Sequence, residues 1–98
     1  MTTNFSEKNI LITGGSSGIG LALAKKLLAL GAHVWILARD EIRLNNALSQ
    51  LHPISPFCKT LVADVADYSQ MEQILQKLMV EINHLDLLIN SAGVAYPG

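Results

Sequence analysis

Short apolar runs and helically spaced apolar sets alternate along this chain. The runs at residues 9–12, 33–37, 60–63 and 85–89 are too short for helices and read as buried strands. Three segments between them place apolar residues on helical faces. The first, about residues 17–30, has Ile19, Ala22, Leu23, Leu27 and Leu30 in one row and Leu21, Ala24 and Leu28 in a second, then stops at Gly31. Glycine there suits a left-handed cap, and two apolar rows predict cover on two sides. The second, about residues 40–51, opens near Asp40 and sets Leu44, Ala47, Leu48 and Leu51 on one face. Residues 52–56, with two prolines, interrupt the pattern before the third helix, residues 68–82. That helix has Asp67 as its N-cap and Met71, Ile74, Leu75, Leu78 and Ile82 on its stripe. Strands separated by helix-sized connections predict a parallel α/β sheet with right-handed crossovers. No internal repeat or domain boundary breaks it.

The segment Thr13-Gly14-Gly15-Ser16-Ser17-Gly18-Ile19-Gly20 joins the first strand to the first helix. Glycines let backbone approach a phosphate closely, and the helix that follows points its N–H groups and positive dipole end at the anion. Spacing decides which cradle this is. A nucleotide-hydrolysing loop would follow the second glycine with Lys and Ser or Thr, whereas Gly20 is followed by Leu21. The G-x-G-x-x-G/A form would begin at Gly18 and needs a small residue where Leu23 stands. What fits is Thr-Gly-x-x-x-Gly-x-Gly, carried by Thr13, Gly14, Gly18 and Gly20. With Asp64-Val65 after the third run and Asn90-Ser91-Ala92-Gly93 after the fourth, the chain resembles the short-chain dehydrogenase/reductase family over nearly its whole length.

The resemblance implies a Rossmann-type doubly wound parallel sheet, three layers deep, with strand order 3-2-1-4. It also implies binding of NADP or NAD, and a homo-oligomer acting on a small carbonyl or alcohol substrate. Ligands of such sheets bind beyond the strands' carboxyl ends, where strand order reverses. The matching positions are Thr13, Gly14, Ser16, Ser17, Gly18, Ile19 and Gly20 in the cradle, with Arg39 after strand two. Asp64 would meet the adenine amino group, with Val65 beside it. Asn90 would tie neighbouring strands, and Ala92 and Gly93 would let the cofactor ribose approach. NAD-using relatives carry an acid at the end of strand two, where this chain has Ala38 and then Arg39. A guanidinium fits a phosphate bidentately, so NADP is favoured over NAD. Asp40 is a rival ribose acid but has a sufficient role as helix cap.

The family's catalytic Ser and Tyr-x-x-x-Lys pair would fall later than residue 98. Tyr68 has Glu72 four residues on, and Tyr96 would need a partner past Gly98. Residues 1–98 therefore read as the N-terminal, cofactor-binding half of one domain, holding no catalytic residue. A non-catalytic nucleotide-binding module is the second class in view. The cradle, the Ala38-Arg39-Asp40 stretch and the run from Ser91 to Gly98 are most similar to the ketosphinganine reductase branch.

Composition agrees. Half of the 98 residues are hydrophobic, enough for a packed core, and a formal net charge of −1 gives no reason to expect nucleic acid. The single cysteine, Cys58, fits a reducing cytoplasm, and no apolar span is long enough to cross a membrane. His33, His52 and His84 lack metal-ligand spacing, and no metal is expected. Trp35 reads as core or interface.

Overall fold

Residues 5–91 are those described by the structure, a computed structural model. Among them the strands are β1 (Asn9–Thr13), β2 (His33–Ala38), β3 (Cys58–Val62) and β4 (Leu87–Asn90). The helices are α1 (Gly18–Ala29), α2 (Glu41–Leu51) and α3 (Tyr68–Ile82). All strand pairs are parallel and the sheet order is β3-β2-β1-β4, as expected. β1 lies inside, with Ile10 opposite Val34 on β2 and Leu87 on β4.

Strand alternation divides the core in two. Ile10, Ile12, Val34 and Ile36 point to the layer of α1 and α2, where they pack with Ala24, Leu27, Leu28, Leu44, Ala47 and Leu51. Leu11, Trp35 and Leu37 point the other way, to Ala63 and to Leu78 of α3. A helix layer on each face is what strands buried on both sides require.

Three local expectations need correction. α1 turns Gly20, Ala24, Leu27 and Leu28 inward, while Ile19 is 74% exposed and Ala22 and Leu30 are also exposed. Its sequence is apolar almost all round, so periodicity did not single out the buried side. The small Gly20 and Ala24 bring the helix axis close to the sheet. β3 starts at Cys58, two residues earlier than expected, because Cys58 pairs with Val34. β4 starts at Leu87, later than expected, because Asp86 is used below the ladder: its Oδ2 accepts the Asn9 N–H at 2.7 Å and its own N–H donates to the Asn9 carbonyl at 2.8 Å. Other expectations hold. Gly31 has φ +92 after α1, and Asp40 and Asp67 cap α2 and α3. Trp35 is buried. Among the described residues no helix is long and apolar enough to cross a membrane.

Two outcomes follow. Leu44, fully buried on the inner face of α2, should cost about 2–5 kcal/mol in denaturant unfolding when replaced by Ala. The Asn9 N–H, outweighing a desolvation that acts in the opposite sense and aided by His84 and Lys8, holds the Asp86 carboxyl below its ordinary 3.8. A group whose folded value is depressed stabilises above the unfolded value, and loses that contribution as pH falls through the folded one. Acid titration of stability should therefore show less loss below pH 3.8 in Asp86→Asn than in the unaltered protein.

Candidate nucleotide site

The carboxyl ends of the strands share one edge, and the glycine loop lies across it. Gly14 leaves β1 with φ +79, and its N–H donates to the Leu37 carbonyl at 2.7 Å. Gly15 is buried, and a Cβ there would stand 2.5 Å from Ile36 Cγ2, so the loop rests directly on β2. Gly18 opens α1 at φ +57, and among the described residues a Cβ there would meet nothing within 4 Å beyond its own helix and chain neighbours. That vector points into open space. A Cβ on Gly20 would run into the Gly14 carbonyl oxygen and stand 2.5 Å from Ser91 Oγ. Glycine at 15 and 20 thus packs loop against sheet, whereas at 18 it leaves room for something else.

The helix starts differ in a way that bears on ligand. Asp40 accepts the N–H groups of Ile42 and Arg43 at 3.0 and 3.2 Å, and Asp67 accepts that of Gln70 at 3.1 Å. At α1 the Ser17 side chain makes no such bond, and the first turn holds no acid. Among the described residues, its amide donors and positive dipole end thus receive neither a capping side chain nor a first-turn acid.

These amides border a groove of about 530 Å³ lined by Ser16, Ser17, Gly18, Ile19, Leu23, Ile89, Asn90 and Ser91. A second cleft of about 270 Å³, formed by Leu37, Ala38, Arg39, Ala63, Asp64 and Val65, adjoins it. Gly14 lines both. The floor is fixed by hydrogen bonds between β1 and β4. Thr13 Oγ1 donates to Asn90 Oδ1 at 2.8 Å, and the Thr13 carbonyl accepts from Ser91 Oγ and Ser91 N–H at 2.7 and 3.0 Å. In the cleft, Arg39 Nη1 lies 3.8 Å from Asp64 Oδ2, while Asp64 Oδ1 accepts the Ala66 N–H at 2.9 Å.

Of the residues singled out by sequence, Gly14, Ser16, Ser17, Gly18, Ile19, Gly20 and Asn90 line the groove, and Arg39, Asp64 and Val65 line the cleft. Thr13 is buried and acts through its bonds to β4. Ala92 and Gly93 lie outside the described residues. Two contributors went unrecognised. Gly15 carries a packing role that the doubled glycine hinted at, and the Ser91 clasp on Thr13 has no signal in sequence. Asp40 is spent on capping. Burial pushes the Cys58 thiol up to about 11, which leaves it unreactive. Among the described residues no three His, Cys, Asp or Glu side chains gather closely enough for a metal.

Known proteins resemble the chain in sequence and in fold. Residues 8–98 match the family described as short chain dehydrogenase. The uncharacterized oxidoreductase DltE of Bacillus subtilis is 47% identical over 89 residues, covering 91% of this chain and 34% of that protein. The 3-dehydrosphinganine reductase of Danio rerio is 35% identical over 95 residues, covering 92% and 29% respectively. Among solved structures, the Pseudomonas aeruginosa RhlG/NADP active-site complex superposes with a TM-score of 0.83 at 33% identity, covering all of this chain and 39% of that one. The chain thus spans about a third of the length of such relatives.

Gly18→Val tests the cradle. A branched residue at φ +57 costs about 1–2 kcal/mol of backbone strain and fills the open side of the loop. Nucleotide binding should be lost while the far-ultraviolet CD spectrum is kept. Undiminished affinity would reduce the glycine to a turn former.

Proposed function

The chain belongs to the short-chain dehydrogenase family, and from that premise we propose that it is the NADP(H)-binding half of an oxidoreductase working between a carbonyl and an alcohol. The observation that carries this reading is the start of α1. Its amides have no side-chain cap, they border an open groove, and among the described residues a Cβ on Gly18 would meet no neighbouring part of the fold within 4 Å. Such a terminus suits a doubly charged pyrophosphate.

The residues divide the cofactor between them. Gly14, Ser16, Ser17, Gly18, Ile19 and Gly20 hold the pyrophosphate through backbone and hydroxyl donors. Asp64 and Val65 receive the adenine, and Arg39 takes the phosphate on the adenosine ribose. Thr13 and Asn90 keep the floor rigid, and by resemblance to the family Ala92 and Gly93 would let the cofactor ribose approach. Bound NADPH supplies the hydride. What this chain does is orient it. Support for NADP over NAD comes from Ala38 and the exposed Arg39 in the cleft, together with the likeness in fold to the Pseudomonas aeruginosa RhlG/NADP complex.

Support for a long-chain ketone of the ketosphinganine kind comes from the Danio rerio relative and from the Ala38-Arg39-Asp40 and Ser91 to Gly98 stretches. The same reading has the protein in the cytoplasm, as a homo-oligomer. Full-length protein that binds NADPH yet turns over no ketone or alcohol would instead be a nucleotide-binding module.

Arg39→Ala should weaken NADPH binding by about 1.5–3 kcal/mol, the worth of a charge-assisted bond, and leave NADH binding nearly unchanged. Fluorescence titration of both cofactors against both proteins reads this. Equal losses for the two would remove the phosphate role from Arg39.

A further inference from the structure

Arg39 and Asp64 stand at the ends of neighbouring strands, since the β2–β3 register sets Ala38 opposite Val62. They face each other across the mouth of the cleft between Leu37, Ala38, Ala63 and Val65, with Arg39 Nη1 3.8 Å from Asp64 Oδ2. Asp40, the acid next to Arg39 in the chain, is already engaged: Oδ1 accepts two α2 amides, and Oδ2 lies 3.8 Å from Arg43 Nε. Among the described residues Asp64 is therefore the acid that Arg39 meets.

The two partners are not equally fixed. Asp64 is anchored on both sides, by the Ala66 N–H on Oδ1 and by its own N–H donating to Gln70 Oε1 at 2.8 Å. The Arg39 side chain is 82% exposed and has no other acidic partner among the described residues. If the pair opens, the arginine is the member that moves.

Resting on the NADP reading above, we propose that Asp64 and the cofactor's ribose phosphate compete for Arg39, so that the cleft binds phosphorylated adenosine by exchanging one anion for another. A ligand without that phosphate leaves the pair closed. A ligand with it draws the guanidinium off Asp64. The acid thereby limits the preference that Arg39 confers. Without this competition, Asp64 and Arg39 would contribute independently to two ends of one nucleotide.

The test is calorimetric titration of adenosine 2′,5′-bisphosphate and of 5′-AMP against the full chain. The unaltered protein, Asp64→Asn, Arg39→Ala and the double variant are compared. Asparagine keeps an acceptor for the Ala66 N–H, so the loop is preserved. The affinity ratio of bisphosphate to AMP should rise about two- to fivefold in Asp64→Asn, the range of an exposed ion pair. In the Arg39→Ala background the same change should leave the ratio unmoved. No rise in Asp64→Asn overturns the exchange, and so does an equal rise in both backgrounds, which would mark plain charge repulsion between Asp64 and the phosphate. If Arg39→Ala alone leaves the ratio unchanged, the NADP reading fails instead, and the exchange with it.

Discussion

The carboxyl edge of the sheet depends on the enclosure of β1. All five of its residues are buried, with β2 on one side, β4 on the other and helices over both faces. A strand confined this way cannot bend within its length, so the whole change of direction falls just after Thr13. Gly14 makes the turn while its N–H stays bonded to Leu37, and Ser91 clasps the last β1 carbonyl twice. The start of α1 is thereby placed against the sheet with the tolerance of the core itself. Gly15 on Ile36 and Gly20 on Ser91 are the points of contact.

Much of this was legible in the sequence, for physical reasons that differ by element. β1 and β2 are short apolar runs bounded by polar or glycine residues, and a run of that kind has few ways to be buried. The α2 stripe of Leu44, Ala47 and Leu51 was legible because, Ile42 and Leu48 apart, the rest of that helix is polar. α1 was not, since a helix apolar on most sides hides which side faces in. The boundaries of β3 and β4 are set by pairing partners distant in sequence, and Asp86 shows how a local polar contact moves a strand start that apolar pattern alone would put earlier. At the site, the loop glycines were legible by spacing. The Arg39–Asp64 pair was not, because it exists only through the β2–β3 register.

Electrostatics in this chain are local. A formal net charge of −1 creates no broad field, yet the three helix N-termini among the described residues are treated unequally. Two receive an aspartate, and the one at the glycine loop receives none. An aspartate at Ser17 would stabilise α1 and also place a negative charge where an anion is to bind. Leaving that terminus bare forgoes helix stability at a single place. Among the described residues one acid, Asp64, lines the adjoining cleft, and it has a cation beside it.

The clasp between β1 and β4 also fixes an order of assembly. Thr13 and Asn90 are 77 positions apart, and Ser91 and Thr13 are 78 apart. On a chain emerging from its amino end, the loop, α1 and β2 are present long before β4 arrives to finish the groove. Closing a segment of that length carries an entropic cost that pairing of β1 with β2 avoids. Docking of the last described strand and completion of the groove are then one event. Any anion that settles there acts as a keystone, favouring the closed arrangement by mass action and reporting by its presence that the most distant pieces of this sequence have met.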